Sequence, residues 1–316
     1  MPKLTRNYDK RTSLSGYRMA FSFVGNLVAA AGVSLIIDTL YPGKSYYRTS
    51  FPVMGIFLGI LILCFLLITF FGTKEAIPKE TLPKQSFIKI LREILSLKEF
   101  RLILGLFLLN MTGLDIFMAL VILFLKDVLL IPENMTFIIM GLPLVSAVCA
   151  VPLWIHFGEK LGKSRAYIVG VILFSVILIL FNIVPKGDVS LTIIFAVLIG
   201  ITISALQVLP FAIIPDIVEI DELKNGVRRE GAFYGISTFL YKSASALAVA
   251  GVSSILGLFG YIEGNYLNQN PSALTAIRIT FTTGPVLFLI FSLVLAAILP
   301  INRDSHAEVL KALRNS

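Results

Sequence analysis

Charge is the first thing this sequence is short of. Only 15% of its 316 residues are Asp, Glu, Lys or Arg, where a water-soluble domain carries about 25%. With 57% of the residues hydrophobic, the bilayer rather than water is the expected solvent. Histidine and cysteine are scarcer still, at two each. His156 and His306 are too few and too far apart for a metal site. Cys64 and Cys149 both fall inside apolar runs, so they read as small buried apolar residues and not as disulfide partners or ligands. No Gly-rich phosphate loop, Ser/His/Asp arrangement or metal-ligand spacing occurs, which leaves enzyme chemistry without residues to carry it. A cleavable signal peptide is not expected, because the first apolar run is too long and lacks a small-residue cleavage site after it.

What the chain does have is long uncharged runs. A hydrocarbon core of about 30 Å takes about 20 helical residues, and eight runs of that order cover 14 to 38, 51 to 72, 102 to 125, 135 to 156, 166 to 184, 190 to 214, 232 to 260 and 277 to 300. An open sheet would leave backbone groups unpaired in lipid, and the runs lack the alternation of a barrel strand. The prediction is an all-α membrane protein with eight transmembrane helices.

The net charge of +8 suggests a nucleic-acid partner only until its placement is read. Alternate connecting segments carry five, seven, three, three and three Lys and Arg, twenty-one in all, while the opposite set carries only Lys44, Arg48, Lys126 and Lys186. That bias puts both termini in the cytoplasm and makes the basic balance topological, with no nucleic acid implied. The expected location is the plasma membrane, with lipids as the surrounding partner.

The longest polar interval, 73 to 101, divides two spans from six. Within it Phe87, Ile90, Leu91, Ile94 and Leu95 recur at helical spacing opposite Lys89, Arg92 and Glu93, as in a short helix on the cytoplasmic membrane surface. A cytoplasmic extension of the next span would give the same pattern. The expected organisation is 1–75, two helices of a first bundle; 76–100, a linker; 101–302, a six-helix bundle; and 303–316, a tail.

A few polar residues fall at membrane depth. Lys242 lies roughly 18 Å beyond the charged run, where a lysine costs about 2.5–3.5 kcal/mol and should face a wet cavity or a counter-ion. Helix carbonyls could also satisfy it. Asp115 sits at a similar level, so one reading has the two sharing a central polar cavity; the other has Asp115 satisfied by Asn110 and Thr112 alone. Gln207 precedes Pro210 and Pro215, which free backbone carbonyls, and so marks either a cavity-lining helix or a simple kink. Arg18, by position, reads as an interfacial anchor. Asn134-Met135-Thr136 matches a glycosylation triplet, but at the membrane edge.

The densest charge is in residues 214–235, five acids and three bases between two apolar runs, expected as a cytoplasmic loop. The segment PDIVEIDELKNGVRREGAFYGISTFLYKSASA (215–246) resembles the loop and following helix of the glycoside-pentoside-hexuronide (melibiose permease-like) cation symporter family of the major facilitator superfamily. YDKRTSLSGYRMAFSFVG (8–25) resembles that family's entry into its fifth helix, and GEKLGKSR (158–165) the short basic loop of facilitator bundles. The resemblance covers essentially the whole chain and aligns it with helices five to twelve of a twelve-helix carrier. It implies cation-coupled sugar or glycoside symport by alternating access, with sodium or a proton as the coupling ion and no organic cofactor.

By the same resemblance Arg18 becomes the sugar-contacting arginine, which replaces the anchor reading, and Lys242 the lysine linked to sugar and cation binding. Asp216, Glu219, Arg228 and Glu230 match positions that form ion pairs between the two bundles as a cytoplasmic gate, and Lys10 with Arg11 would be their partners. Asp115, as a candidate for cation or proton coupling, and Gln207, as a substrate contact, rest on depth alone. The first four helices, which carry the family's cation-coordinating acids, have no counterpart. That implies an internal start at Met1, a broken gene or a separate product supplying the four-helix segment. A non-transporting remnant and a lysolipid carrier are the rival expectations.

Overall fold

The computed structural model describes residues 8–34, 47–72, 87–226, 229–264 and 268–299. Every regular element among them is helical: α1 (Tyr8–Ser34), α2 (Tyr47–Gly72), α3 (Phe87–Ser96), α4 (Lys98–Leu123), α5 (Glu133–Leu161), α6 (Lys163–Phe181), α7 (Val189–Asn225), α8 (Glu230–Leu258) and α9 (Pro271–Ile298). The protein is an all-α membrane protein. Seven helices among the described residues, α2 and α4 to α9, are long and apolar enough to cross a bilayer. The remaining expected span falls on α1, a 27-residue helix in which Arg18, Asn26, glycines and serines dilute the apolar residues below that standard.

The interval before α4 contains a helix of its own. Leu97 is extended (φ −67°, ψ 118°), so α3 and α4 are separate elements rather than one long rod. Ile94 of α3 is fully buried while Lys89 and Arg92 are exposed, and α3 packs on α4 and α8. Residues 76–86 of the expected linker and the 303–316 tail lie outside the described residues.

Helices α4 to α9 share one core. α5 packs closely on α7 at Gly200, where a Cβ would overlap the Ser146 hydroxyl and the Pro143 backbone, with the Pro143 Cα only 2.6 Å away. Small residues at such crossings let helices in lipid gain dispersion contacts that Leu-on-Leu packing could not. The half of the bundle away from the charge run is held by phenylalanines, with Phe124 stacked on Phe281 at 4.1 Å and Phe181 on Phe195 at 5.2 Å. α1 packs against α5 and α7, and α2 packs chiefly on α1.

Two expectations are corrected. Cys64 and Cys149 are both exposed on helix surfaces instead of buried, because lipid is as apolar as a core and an apolar run does not say which face turns inward. The acidic run is also not a loop as far as residue 225. α7 continues for eleven residues past the expected span end and carries Asp216, Glu219, Asp221 and Glu222 on helix. Acidic side chains do not break a helix that has left the bilayer. Gly226 does, in the left-handed conformation at φ 67°, with its N–H returned to Glu222.

Candidate transport site and cytoplasmic ion pairs

Asp115 is half-buried on α4, and Ser245 of α8 donates a short hydrogen bond to its Oδ2. Tyr241 lies one turn before Ser245 and so on the same face of α8. Its hydroxyl interacts with both Asp115 and Lys242. Lys242 Nζ donates to that hydroxyl at 3.4 Å, sits 4.8 Å from the ring centroid, and is exposed. Asp115 and Lys242 therefore meet through Tyr241, without a direct ion pair of their own. Asn110, the local partner one reading offered to Asp115, is engaged elsewhere: its amide donates to the Leu206 carbonyl at 2.8 Å, and its Oδ1 accepts from Tyr167 at 3.0 Å. Leu206 is the residue whose helical donor would have been the N–H of Pro210. The proline frees the carbonyl and a neighbouring helix fills it.

From Tyr241 the rings continue. Phe107 of α4 meets Tyr241 edge-on at 5.8 Å and Phe211 of α7 at 5.0 Å, and the Arg18 guanidinium of α1 sits over Phe211 at 4.5 Å. Half-buried Gln207 is one turn before Phe211 on the same face of α7. The structure thus arranges Arg18, Gln207, Asp115 and Lys242 around three aromatic rings contributed by α4, α7 and α8. The sequence reading missed those rings, since at helical spacing Phe107 and Phe211 look like core.

At the other end of α7 lies a second polar layer. Lys163, which opens α6, donates to both oxygens of Asp216 at 3.0 and 2.8 Å and to the Ala212 carbonyl at 2.8 Å, and both side chains are almost wholly buried. Arg229 binds Asp221 through two nitrogens, Nε to Oδ2 at 3.0 Å and Nη2 to Oδ1 at 2.6 Å, and a third nitrogen holds Glu93 of α3. The Asp221 hydrogen bonds, and after them Glu93, push the Arg229 guanidinium above its already high ordinary pKa, so it stays charged. Lys224 and Glu99 add an exposed bridge at 3.1 Å. Of the expected gate residues, Asp216 and Glu219 are buried and Glu230 is half-buried in the first turn of α8, where its charge suits the helix N-terminus. The side chains of Lys10 and Arg11, and Arg228 as a whole, lie outside the described residues. Lys163, Glu93, Asp221 and Arg229 were missed by the sequence reading. Burial of cations at 163 and 229 is set by tertiary packing and leaves no local signal.

Among the described residues no cluster of His, Cys, Asp and Glu could hold a metal ion. Asp115, Ser245 and Tyr241 bring side-chain oxygens of α4 and α8 together.

The chain is 33% identical over 165 residues to an uncharacterized symporter of Synechocystis sp., covering 51% of this chain and 30% of that protein. It is 25% identical over 343 residues to the sphingosine-1-phosphate transporter MFSD2B of Xenopus tropicalis, and 23% identical over 354 residues to the sodium-dependent lysophosphatidylcholine symporter 1 of the same organism. Each of those matches takes in 98% of this chain and 65% of the relative, so the chain spans no more than about two thirds of any of the three. All three are named as transporters or symporters and none as an enzyme. The model of the family described as MFS/sugar transport protein matches residues 1–303, and the chain belongs to that family.

Proposed function

We propose that this chain forms the larger part of a cation-coupled symporter for a sugar or glycoside, working in the plasma membrane with both termini cytoplasmic. The observation that carries the reading is the ring train with a charge at each end. Half-buried Phe211 and Tyr241, backed by the buried Phe107, offer apolar surface to the C–H side of a sugar ring, while Arg18 over Phe211 and Lys242 beside Tyr241 supply donors for its hydroxyls and Gln207 lies one turn before Phe211. Asp115 is the coupling group: an acid at this depth takes up a proton, or sodium with help from the oxygens of Ser245 and Tyr241. Tyr241 passes the resulting change in charge to Lys242. A further four-helix segment completes the cavity on the side where Lys242 is exposed.

The cytoplasmic charge run acts as the gate. Lys10 or Arg11 pairs with Asp216 or Glu219 when the outer side is open, and at Asp216 that bond competes with Lys163 for the same carboxylate. Arg228 and Glu230 extend the pairing across the loop. Uptake of a labelled sugar panel by cells expressing the chain together with the first four helices of a family member, under an imposed sodium or proton gradient, tests the reading. Gradient-dependent uptake that Arg18→Ala and Lys242→Ala abolish is the expected result. Uptake indifferent to both substitutions, or none for any sugar, overturns it.

A lysolipid is the second reading, and a groove favours it. Between α1 and α5 lies a cavity of about 320 Å³ whose wall runs from apolar Val148, Val151 and Ile155 to polar Tyr17, His156 and Glu159. That gradient suits an amphiphile with its headgroup at the polar end. Uptake of a labelled lysophospholipid but not of sugars, blocked by filling the groove with Val148→Trp, would decide for it.

A further inference from the structure

At the end of the bundle opposite the charge run, the described residues hold an acid that the transport reading does not use. Asp127 is 1% exposed, in the π-helical turn Phe124–Val128 that closes α4. The turn is fixed by Leu129 N–H bonded to the Phe124 carbonyl at 2.9 Å and Ile131 N–H to the Leu125 carbonyl at 3.0 Å. Two other connections close over it. Gly187, between α6 and α7, donates its N–H to the Leu129 carbonyl at 2.7 Å, and Tyr261, between α8 and α9, donates its hydroxyl to Asp127 Oδ2 at a long 3.4 Å. Asp127 Oδ1 is buried and has no hydrogen-bond partner among the described residues.

The charged groups nearby offset only part of the cost of holding it as an anion. Lys126, its neighbour in sequence, adds a favourable charge, but its Nζ is bonded to Glu133 of α5 at 3.1 Å. Arg278, the one charged residue of α9, makes no ion pair with it, and Glu263 of the α8–α9 connection is itself an acid. Lys186 and Asp188 flank Gly187, and Asp188 is occupied in capping Leu191 of α7. A buried carboxylate with one bare oxygen and one long hydrogen bond carries a desolvation penalty that those contacts cannot offset. The neutral acid forgoes only a hydrogen bond. π-Helical turns of this kind also concentrate where a helix has been re-aimed for a purpose.

We propose that Asp127 is a proton-binding site, occupied when this rim is closed, and that losing the proton releases Tyr261 and the α6–α7 connection from the end of α4. The ligand is a proton from the aqueous phase on that side. The closed rim binds it more tightly than the open one, so closure strengthens as pH falls and is lost as pH rises.

Hydrogen exchange on the full chain in nanodiscs, with rates corrected for intrinsic base catalysis, tests the assignment. In the wild type, protection of the amides at 128–131 and 256–262 drops by about tenfold for each unit of pH above the transition. Asp127→Asn, a neutral isostere, keeps the closed-rim protection at every pH. Infrared spectroscopy of the wild type gives a readout that needs no variant: a protonated carboxylic acid band that fades over the same pH range, and that Tyr261→Phe shifts. Protection independent of pH, a pH dependence unchanged in Asp127→Asn, or a band that Tyr261→Phe leaves in place would each overturn the proposal.

Discussion

α2 and α7 are both long apolar helices, and composition alone ranks α2 the more hydrophobic. Yet none of α2's most apolar window is buried, whereas half of α7's is. The difference lies in what interrupts the apolar residues. α7 carries Gly200 at the α5 crossing, Pro210 with its freed Leu206 carbonyl, and then Asp216 and Asp221; α2 has Gly55 and Gly59, but no described neighbour approaches either, and its hydroxyl and charged residues lie near its ends. In lipid an apolar side chain has little to gain by turning inward, so polar and small residues decide which helices pack.

The sharpest way to break that contrast is to take away a polar anchor of α7. Lys163→Met removes the partner that holds both Asp216 oxygens in a buried setting, and should destabilise the bundle by about 3–5 kcal/mol. Lys163→Met with Asp216→Leu should recover most of the loss, since the penalty belongs to the stranded charge rather than to the missing attraction. Thermal unfolding in detergent reads both; equal destabilisation by single and double variants would show that α7 is anchored by something else.

A smaller effect is expected one layer deeper. Asn110→Leu strands the Leu206 carbonyl and takes one acceptor from the Tyr167 hydroxyl, which keeps Ser292 at 2.7 Å, at about 1–3 kcal/mol. Pro210→Ala restores an N–H four residues after Leu206, so it should soften the effect of Asn110→Leu while doing little for the wild type. A double-mutant cycle showing no coupling between positions 110 and 210 would separate the proline from the clasp.

These anchors mark how far the sequence could be read. The helical membrane class followed from run length, and seven of the eight expected runs coincide with helices that can span, because twenty apolar residues have no other stable form in lipid. A charge within an apolar run is conspicuous, which is how Asp115 and Lys242 came to be singled out, and the structure brings both to Tyr241. What joins them is Tyr241, and an aromatic residue in an apolar helix is not conspicuous. Cys64 and Cys149 went the wrong way for the reason α2 illustrates: period and hydropathy carry no inward direction when lipid and core are equally apolar. The extension of α7 through Asn225 was hidden because charge was taken to end the helix, when it ends only the span.

Toward the aqueous end the contrast should fade. Glu93 is about a third exposed, so Glu93→Gln loosens α3 from Arg229 by no more than about 1 kcal/mol, with Asp221 still holding the guanidinium. High salt should produce a similar loss in the wild type and little further loss in the variant. A large effect from Glu93→Gln would mean that α3 is a structural part of the bundle instead of a helix tethered to it.

The smallest change is expected on α2, and it is the control that gives the others meaning. Leu63 and Ile68 are exposed at 56% and 65%, pointing where no described helix reaches. Leu63→Val or Ile68→Leu in the 316-residue chain should therefore stay within about ±0.5 kcal/mol, since each exchanges one apolar surface for another in the same surroundings. If a further helical segment covers this face in the working carrier, the same substitutions become costly once that segment is supplied, because packing against protein is shape-sensitive and packing against lipid is not. Comparing their cost with and without the partner segment measures directly how much of α2 is buried there, and a cost that stays near zero in both would leave α2 facing lipid.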